Sequence, residues 1–192
     1  MKYTKEMKAF ELAYWIKHRS TPNTRSKIMT NLFGDVEIFG DSAVDVGCGP
    51  RCGIFNELKF NQMYGVDPLW KEYAKNNLTC PVKGVQQIRA FAEDFQLKEK
   101  VDVAFSFNAL DHSGNLEKSF DNIFHNLKEK GKLYFHIHLR TKDQLNVGHQ
   151  MIIKVKNIYN IIDNHRIVYE KILSYCPLDN KKYKTFIGIV EK

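Results

Sequence analysis

The sequence predicts an α/β fold built on seven strands, most of them parallel, and three observations lead there. Short runs rich in apolar and β-branched residues begin near 42, 62, 85, 101 and 133, and stretches with helical spacing separate several of them. The first run breaks directly into a glycine-rich turn at Gly47-Cys48-Gly49. Two further strand-like runs, 167–174 and 183–190, are joined through the turn residues Pro177-Leu178-Asp179-Asn180, which predicts an antiparallel pair closing the sheet.

Residues 2–19 read as an amphipathic helix: Tyr3, Met7, Phe10 and Tyr14 recur at helical spacing, and Leu12, Trp15 and Ile16 widen the apolar face. Ser20-Thr21-Pro22 stops it, and Asn23 or Thr24 could cap a second short helix through Phe33. The first strand is Ser42-Ala43-Val44-Asp45-Val46, and the spacing after its turn predicts a helix through Ile54–Leu58 whose free N–H groups could receive an anion. The second strand, Gln62–Val66, ends in the acid Asp67, and Pro68-Leu69-Trp70 then opens a helix. Val85–Ala90 is the third strand, followed by Phe91-Ala92-Glu93-Asp94, and Val101–Phe107 is the fourth, followed by Asn108-Ala109-Leu110-Asp111-His112.

Leu116 to Leu127 carries Leu116, Phe120, Ile123, Phe124 and Leu127 on one helical side, and Lys130-Gly131-Lys132 is expected to close that helix with glycine past its end. In the strand that follows, Leu133, Phe135, Ile137 and Leu139 point one way and Tyr134, His136, His138 and Arg140 the other. A polar face is unusual in a sheet covered by helices on both sides. Two histidines at alternate strand positions could bind a metal, but no third ligand is evident by spacing, so no metal is expected. Thr141–Gln150 is a connection containing His149, and Ile152–Asn164 reads as the last helix.

At 192 residues and 43% hydrophobic content the chain suits one globular domain rather than a disordered segment. No apolar run approaches the roughly 20 residues that span a bilayer, so no membrane association is expected. The charged start Met1–Glu6 shows no secretory signal, and cysteines at 48, 52, 80 and 176 form no dense framework; reduced thiols and a cytoplasmic location are expected. Cys48 and Cys52 alone would be half a metal site. The formal charge of +7 lies entirely in the flanks, since residues 41–141 are neutral. Solvated helix faces explain that surplus, and an anionic acceptor such as a nucleotide-linked molecule or nucleic acid is the alternative.

The glycine spacing separates ligand classes. A dinucleotide fingerprint G-x-G-x-x-G would need its third glycine at position 52, which is Cys52. Asp45-x-Gly47-x-Gly49 instead resembles motif I of the class I S-adenosylmethionine-dependent methyltransferases, although Arg51 stands where a further glycine often sits. The second acid, Asp67, falls where that family carries its ribose-binding carboxylate, and Leu69 where an apolar residue covers the adenine. The resemblance spans roughly residues 40–192. It implies a three-layer Rossmann-like sandwich over 41–192, with residues 1–40 a helical cap on the same domain, and S-adenosylmethionine as cofactor.

On that resemblance the cofactor-binding residues are Asp45, Gly47, Cys48, Gly49, Asp67, Pro68, Leu69, Ala92, Asn108 and Ala109, with Glu93 or Asp94 reading the adenine edge. Asn108 is followed by Ala109-Leu110 rather than by the Pro-Pro of amino-group methyltransferases, so the run looks more like the small-molecule and sugar O-methyltransferases. A small-molecule or glycan-type acceptor, methylated at oxygen, is therefore expected; RNA or another nucleic acid, or cofactor binding without turnover, are the alternatives. A hydroxyl must lose a proton, and His112, His138 and His149 are the candidate bases, with Asp111 a partner or alternative base. Tyr14, His18 and Arg25 are candidate acceptor contacts.

Overall fold

A computed structural model describes residues 3–19, 28–177 and 183–192. The candidate cap residues Asn23 and Thr24, the candidate contact Arg25 and the turn residues 178–180 lie outside the described residues.

The valine-rich run forms β1 (Ser42–Val46), buried at every position. The other strands are β2 (Gln62–Val66), β3 (Val85–Ile88), β4 (Val101–Phe107), β5 (Leu127–His138), β6 (Arg166–Leu173) and β7 (Thr185–Glu191). Their order across the sheet is β3-β2-β1-β4-β5-β7-β6, and only β7 runs antiparallel to its neighbours. The chain steps outward from β1 to β3, then returns to place β4 on the other side of β1. Strand order reverses at β1/β4, the position where open α/β sheets leave a crevice beyond their carboxyl ends.

Two apolar clusters sandwich the sheet. One holds Phe120 and Ile123 of α4 (Leu116–Asn126) and Ile158 of α5 (Val155–Ile162) against Phe135 and Phe186. Phe135 stands edge-on to Phe120, with centroids 5.1 Å apart, and stacks on Phe186 at 5.6 Å. The other gathers Leu32 and Phe33 of α2 (Ile28–Phe33) and Trp70 and Tyr73 of α3 (Trp70–Lys75) against Phe105 and Tyr134. The remaining helix, α1 (Lys5–Lys17), starts at Thr4, whose hydroxyl accepts from Met7 N–H at 3.2 Å. No helix among the described residues is long and apolar enough to cross a membrane.

The structure departs from the sequence reading at two places. Beyond the glycine turn there is one 3-10 turn, Gly53–Asn56, rather than a longer helix, and the left-handed backbone of Cys52 (φ 46°) sets where it begins. Nor does Gly131 close α4. That helix ends at Asn126, whose side-chain amide donates to the Asn122 and Phe95 carbonyls and whose oxygen accepts from Leu97 N–H. Gly131 lies inside β5 at an irregularity, where a Cβ would come within 2.9 Å of the Lys128 carbonyl and 3.1 Å of the Asp102 carbonyl.

Asp102 pins β1 to β4 at the amino end of the sheet. Its Oδ2 accepts from the Asp41 and Ser42 N–H groups and the Ser42 hydroxyl, and its Oδ1 lies 2.8 Å from Lys128 Nζ. Burial alone would raise this carboxyl, but Lys128, the hydroxyl and the two amides outweigh it and bring its pKa down to about 2. The folded value lies below the unfolded one, so the stabilisation is present above about pH 4 and lost as pH falls through 2. Asp102→Ala should lower unfolding stability at pH 7 by about 1.5–3 kcal/mol in urea titrations, and the gap from the natural chain should close towards pH 2.

Candidate active site

The carboxyl ends of β1, β2 and β4 open onto a cavity of about 240 Å³ roofed by α1. Its floor is the glycine turn. Gly47 (φ 72°) donates to the Val66 carbonyl at 2.8 Å, and a Cβ there would sit 2.2 Å from that of Ala109. Gly49 (φ 60°) lies under α1, where a Cβ would come within 2.5 Å of the Trp15 ring. Both positions combine a left-handed backbone with a close approach that only glycine permits.

Asp67, at the tip of β2, shapes the same floor. Its Oδ2 accepts from Gly49 N–H at 3.0 Å and its Oδ1 from Leu69 N–H at 2.8 Å. Burial pushes its pKa up to about 6 against those two bonds. Tyr73 bonds to the carboxylate as well, which leaves room among its roughly four lone-pair sites for a further hydroxyl donor. Pro68 and Leu69 continue this wall. Asp45 and Cys48 are buried behind the turn and do not line the cavity among the described residues. Cys48 shares that space with Cys52: a Cβ on Gly65 would meet both sulfurs, at 3.2 and 2.9 Å. Burial pushes the Cys48 thiol up to about 12.

At the far wall, Ala92 and Glu93 face the cavity. Glu93 Oε1 accepts from the Gly114 and Asn115 N–H groups at 2.6 and 3.0 Å, tying the loop after β3 to the start of α4. Asp94 turns back on its own loop, accepting from Phe91 N–H at 3.1 Å, and does not line the cavity.

The end beyond β4 is the polar one. Asn108 takes a left-handed conformation (φ 54°), donates its N–H to the His136 carbonyl and lines the cavity with Ala109. Asp111 follows, 1% exposed, and four cationic or imidazole groups converge on it. Arg140 Nε and Nη2 both donate to its Oδ2 at 3.3 Å, His149 Nδ1 lies 3.0 Å from that oxygen and His138 Nδ1 3.8 Å, while His112 Nε2 lies 4.0 Å from Oδ1. Burial opposes the carboxylate, yet His112, His149 and His138 together hold it well below the usual range. Burial also opposes protonation of His112, but Asp111 and Glu11 outweigh it and raise its pKa; Glu11 Oε1 on α1 lies 3.0 Å from His112 Nδ1. For His149 burial prevails over Asp111, and the pKa is lowered. Asp111, His112 and His149 have donor atoms close enough for a metal, but the Arg140 guanidinium already holds the shared carboxylate oxygen.

Sequence reasoning missed Glu11, Trp15 and Tyr183, and placed Arg140 at the site end of its strand without a partner. Trp15 and Glu11 face the cavity from α1, and Tyr183 packs under the Arg140 guanidinium at 5.0 Å. Tyr14 lines the cavity too; His18 packs on Tyr14 instead, its carbonyl accepting from Arg51 at 2.6 Å. A polar residue on a buried strand face was the available signal for Arg140, whereas nothing marks Glu11 among the polar residues of a surface helix.

Comparison with known proteins bears on this geometry. A family model described as "Methyltransferase domain" matches residues 44–135. No curated protein matches the sequence. Among solved structures, the complex between the Haloferax volcanii Trm112 methyltransferase activator and a methyltransferase contains a chain 12% identical, with TM-score 0.71 and 98% of each chain covered. The N-methyltransferase NodS from Bradyrhizobium japonicum WM9, in complex with S-adenosyl-L-homocysteine, is 11% identical, with TM-score 0.68 and 94% of this chain and 96% of that one covered. The 1,6-didemethyltoxoflavin-N1-methyltransferase of Burkholderia thailandensis is 12% identical, with TM-score 0.66, covering 97% and 87%. At such identities these likenesses concern the fold.

Because Gly49 carries both the left-handed strain and the Trp15 contact, Gly49→Ala should lower unfolding stability by about 1–2 kcal/mol. It should also change Trp15 fluorescence in the folded state; unchanged emission with unchanged stability would mean that α1 does not sit on the turn.

Proposed function

We propose, for a chain that belongs to the class I S-adenosylmethionine-dependent methyltransferases, that it methylates a small-molecule or glycan-type acceptor at oxygen, with His149 as the base. The observation that carries this reading is His149 Nδ1 lying 3.0 Å from the buried Asp111 carboxylate, in one cavity with Gly47, Gly49 and Asp67.

The chain's residues fit the cofactor. The backbone of Gly47 and Gly49 borders the cavity beside Ala109 and Trp15, and the Asp67 carboxylate suits a ribose hydroxyl. Leu69 and Ala92 would flank the adenine, with Glu93 near its edge, and Asn108 and Ala109 would border the amino-acid end. Asp45 and Cys48 act from behind, as the packed support of the turn. Bound there, S-adenosylmethionine supplies a methyl group already activated on sulfur. What the protein adds is alignment, worth up to roughly 7–11 kcal/mol in well-oriented systems, and removal of the acceptor's proton.

The three histidines divide by environment. His149 is kept neutral by burial and faces Asp111 through Nδ1, which leaves the Nε2 lone pair to take a proton. His112 favours its charged form between Asp111 and Glu11, so it offsets charge and fastens α1 to the site. His138 accepts from Arg140 at Nδ1 and holds that guanidinium in place. Arg140 has a buried Nη1 without a hydrogen-bond partner among the described residues, which suits an acceptor bearing a carbonyl or carboxylate oxygen. On this reading residues 1–40 act as a lid on one domain, contributing Tyr14 and Trp15 to the acceptor side. Nitrogen is the second reading, favoured by two structural neighbours that are N-methyltransferases.

Incubation with labelled S-adenosylmethionine and panels of hydroxyl and amine acceptors separates the two readings by the atom that gains the label. His149→Gln should lower kcat by about 10²–10⁴-fold while leaving S-adenosylhomocysteine affinity unchanged. Protonated Asp67 can accept fewer hydroxyl donors, so nucleoside affinity should weaken as pH falls through about 6. Asp67→Asn should bind weakly at all pH values and lose that dependence in calorimetry.

A further inference from the structure

The polar face of β5 continues beyond the groups that serve the cavity. His136 and His138 alternate on that strand, 0% and 3% exposed, and their rings converge to a centroid distance of 5.0 Å. Cys176, 1% exposed and beyond the end of β6, reaches the same point, with Sγ 3.5 Å from His136 Nε2. One donor atom from each of the three lies within 4.8 Å of the others.

We propose that His136, His138 and Cys176 form a binding site for one zinc-class divalent ion. Alternate residues on a strand project to one side, so two imidazoles separated by one residue can share a ligand. Tetrahedral zinc, with bonds of about 2.0–2.3 Å to nitrogen and sulfur, sets donor–donor edges of roughly 3.3–3.8 Å. The His136–Cys176 edge already has that length. One thiolate with two imidazoles also matches a borderline-soft ion better than it matches magnesium or calcium, which select oxygen.

The groups behind the ligands fit as well. Asp111 Oδ2 lies 3.8 Å from His138 Nδ1, beyond hydrogen-bond length but near enough for a small ring rotation to let the carboxylate orient the imidazole. Arg140 Nη2 competes for that nitrogen at 3.2 Å. Coordination through His138 Nε2 resolves the competition: Nδ1 then carries the hydrogen and turns it to Asp111, while Arg140 keeps its own bonds to the carboxylate. On uptake of the ion, Cys176 loses its thiol proton to solvent and both imidazoles bind neutral, so about one proton is released per ion. Three protein donors leave a fourth position for water.

His136 and Cys176 lie outside the cavity, whereas His138 borders it beside Arg140, so the ion would share that one residue with the site of the proposed methyl transfer. Titration of the full-length, metal-stripped protein with cobalt(II) alone should give one equivalent of tetrahedral d–d absorption with a thiolate-to-metal charge-transfer band. Cys176→Ser should abolish the charge-transfer band and weaken cobalt binding more than about 100-fold, whereas Cys80→Ser should change neither. X-ray absorption of the unaltered zinc-loaded protein, which needs no variant to fold, should show one sulfur and two imidazole nitrogens in the first shell. Absence of a charge-transfer band, a sulfur-free shell or undiminished binding by Cys176→Ser would each overturn the proposal and leave a Cys176–His136 hydrogen bond only.

Discussion

One buried carboxylate organises the reacting end of this protein. Asp111 comes from the turn after β4, Arg140 and His138 from β5 and its extension, and His149 from the following loop; these share no local sequence. A carboxylate taken out of water without compensation loses several kcal/mol of solvation, and removing one partner of a buried ion pair leaves the other uncompensated, typically at 3–5 kcal/mol. The same constraint that makes Asp111 expensive to bury makes its surroundings rigid. Each group that neutralises it is held at a fixed position relative to the others. Of the imidazoles around it, His112 has its pKa raised and His149 has it lowered, because charge prevails in the first and burial in the second.

The sheet supplies the place for this cluster. Strand order reverses between β1 and β4, so the chain leaves a gap at their carboxyl ends that no crossover fills. The gap is lined by backbone on one side, through Gly47 and Gly49, and by polar side chains on the other. Helix α1 covers it by placing Trp15 where a side chain at position 49 would have been, so the turn's lack of bulk makes room for the roof.

The parts of the fold that depend on local pattern were legible in the sequence. Valine-rich strands, the glycine turn and the acid at the tip of β2 follow from short-range composition, and the antiparallel end of the sheet from the turn residues between its last two strands. The parts that depend on tertiary competition were not. Asn126 stops α4 by bonding to carbonyls, including Phe95's from another segment, and that choice is invisible beside a Gly131 that looks like a helix terminator. Likewise, Arg140 is visible as a polar residue on a buried face, but its partner Asp111 is fixed only by the β4–β5 pairing. Cys176 meets His136 only because β7 lies between β5 and β6.

The sulfurs packed behind the glycine turn are held unreactive by their surroundings. A thiolate is a far better nucleophile than a thiol. Cys48 sits in the turn itself, and burial keeps it protonated, as the Cys48 thiol and burial do for Cys52. Sulfur can therefore fill the small space under Gly65 while staying in its less nucleophilic form.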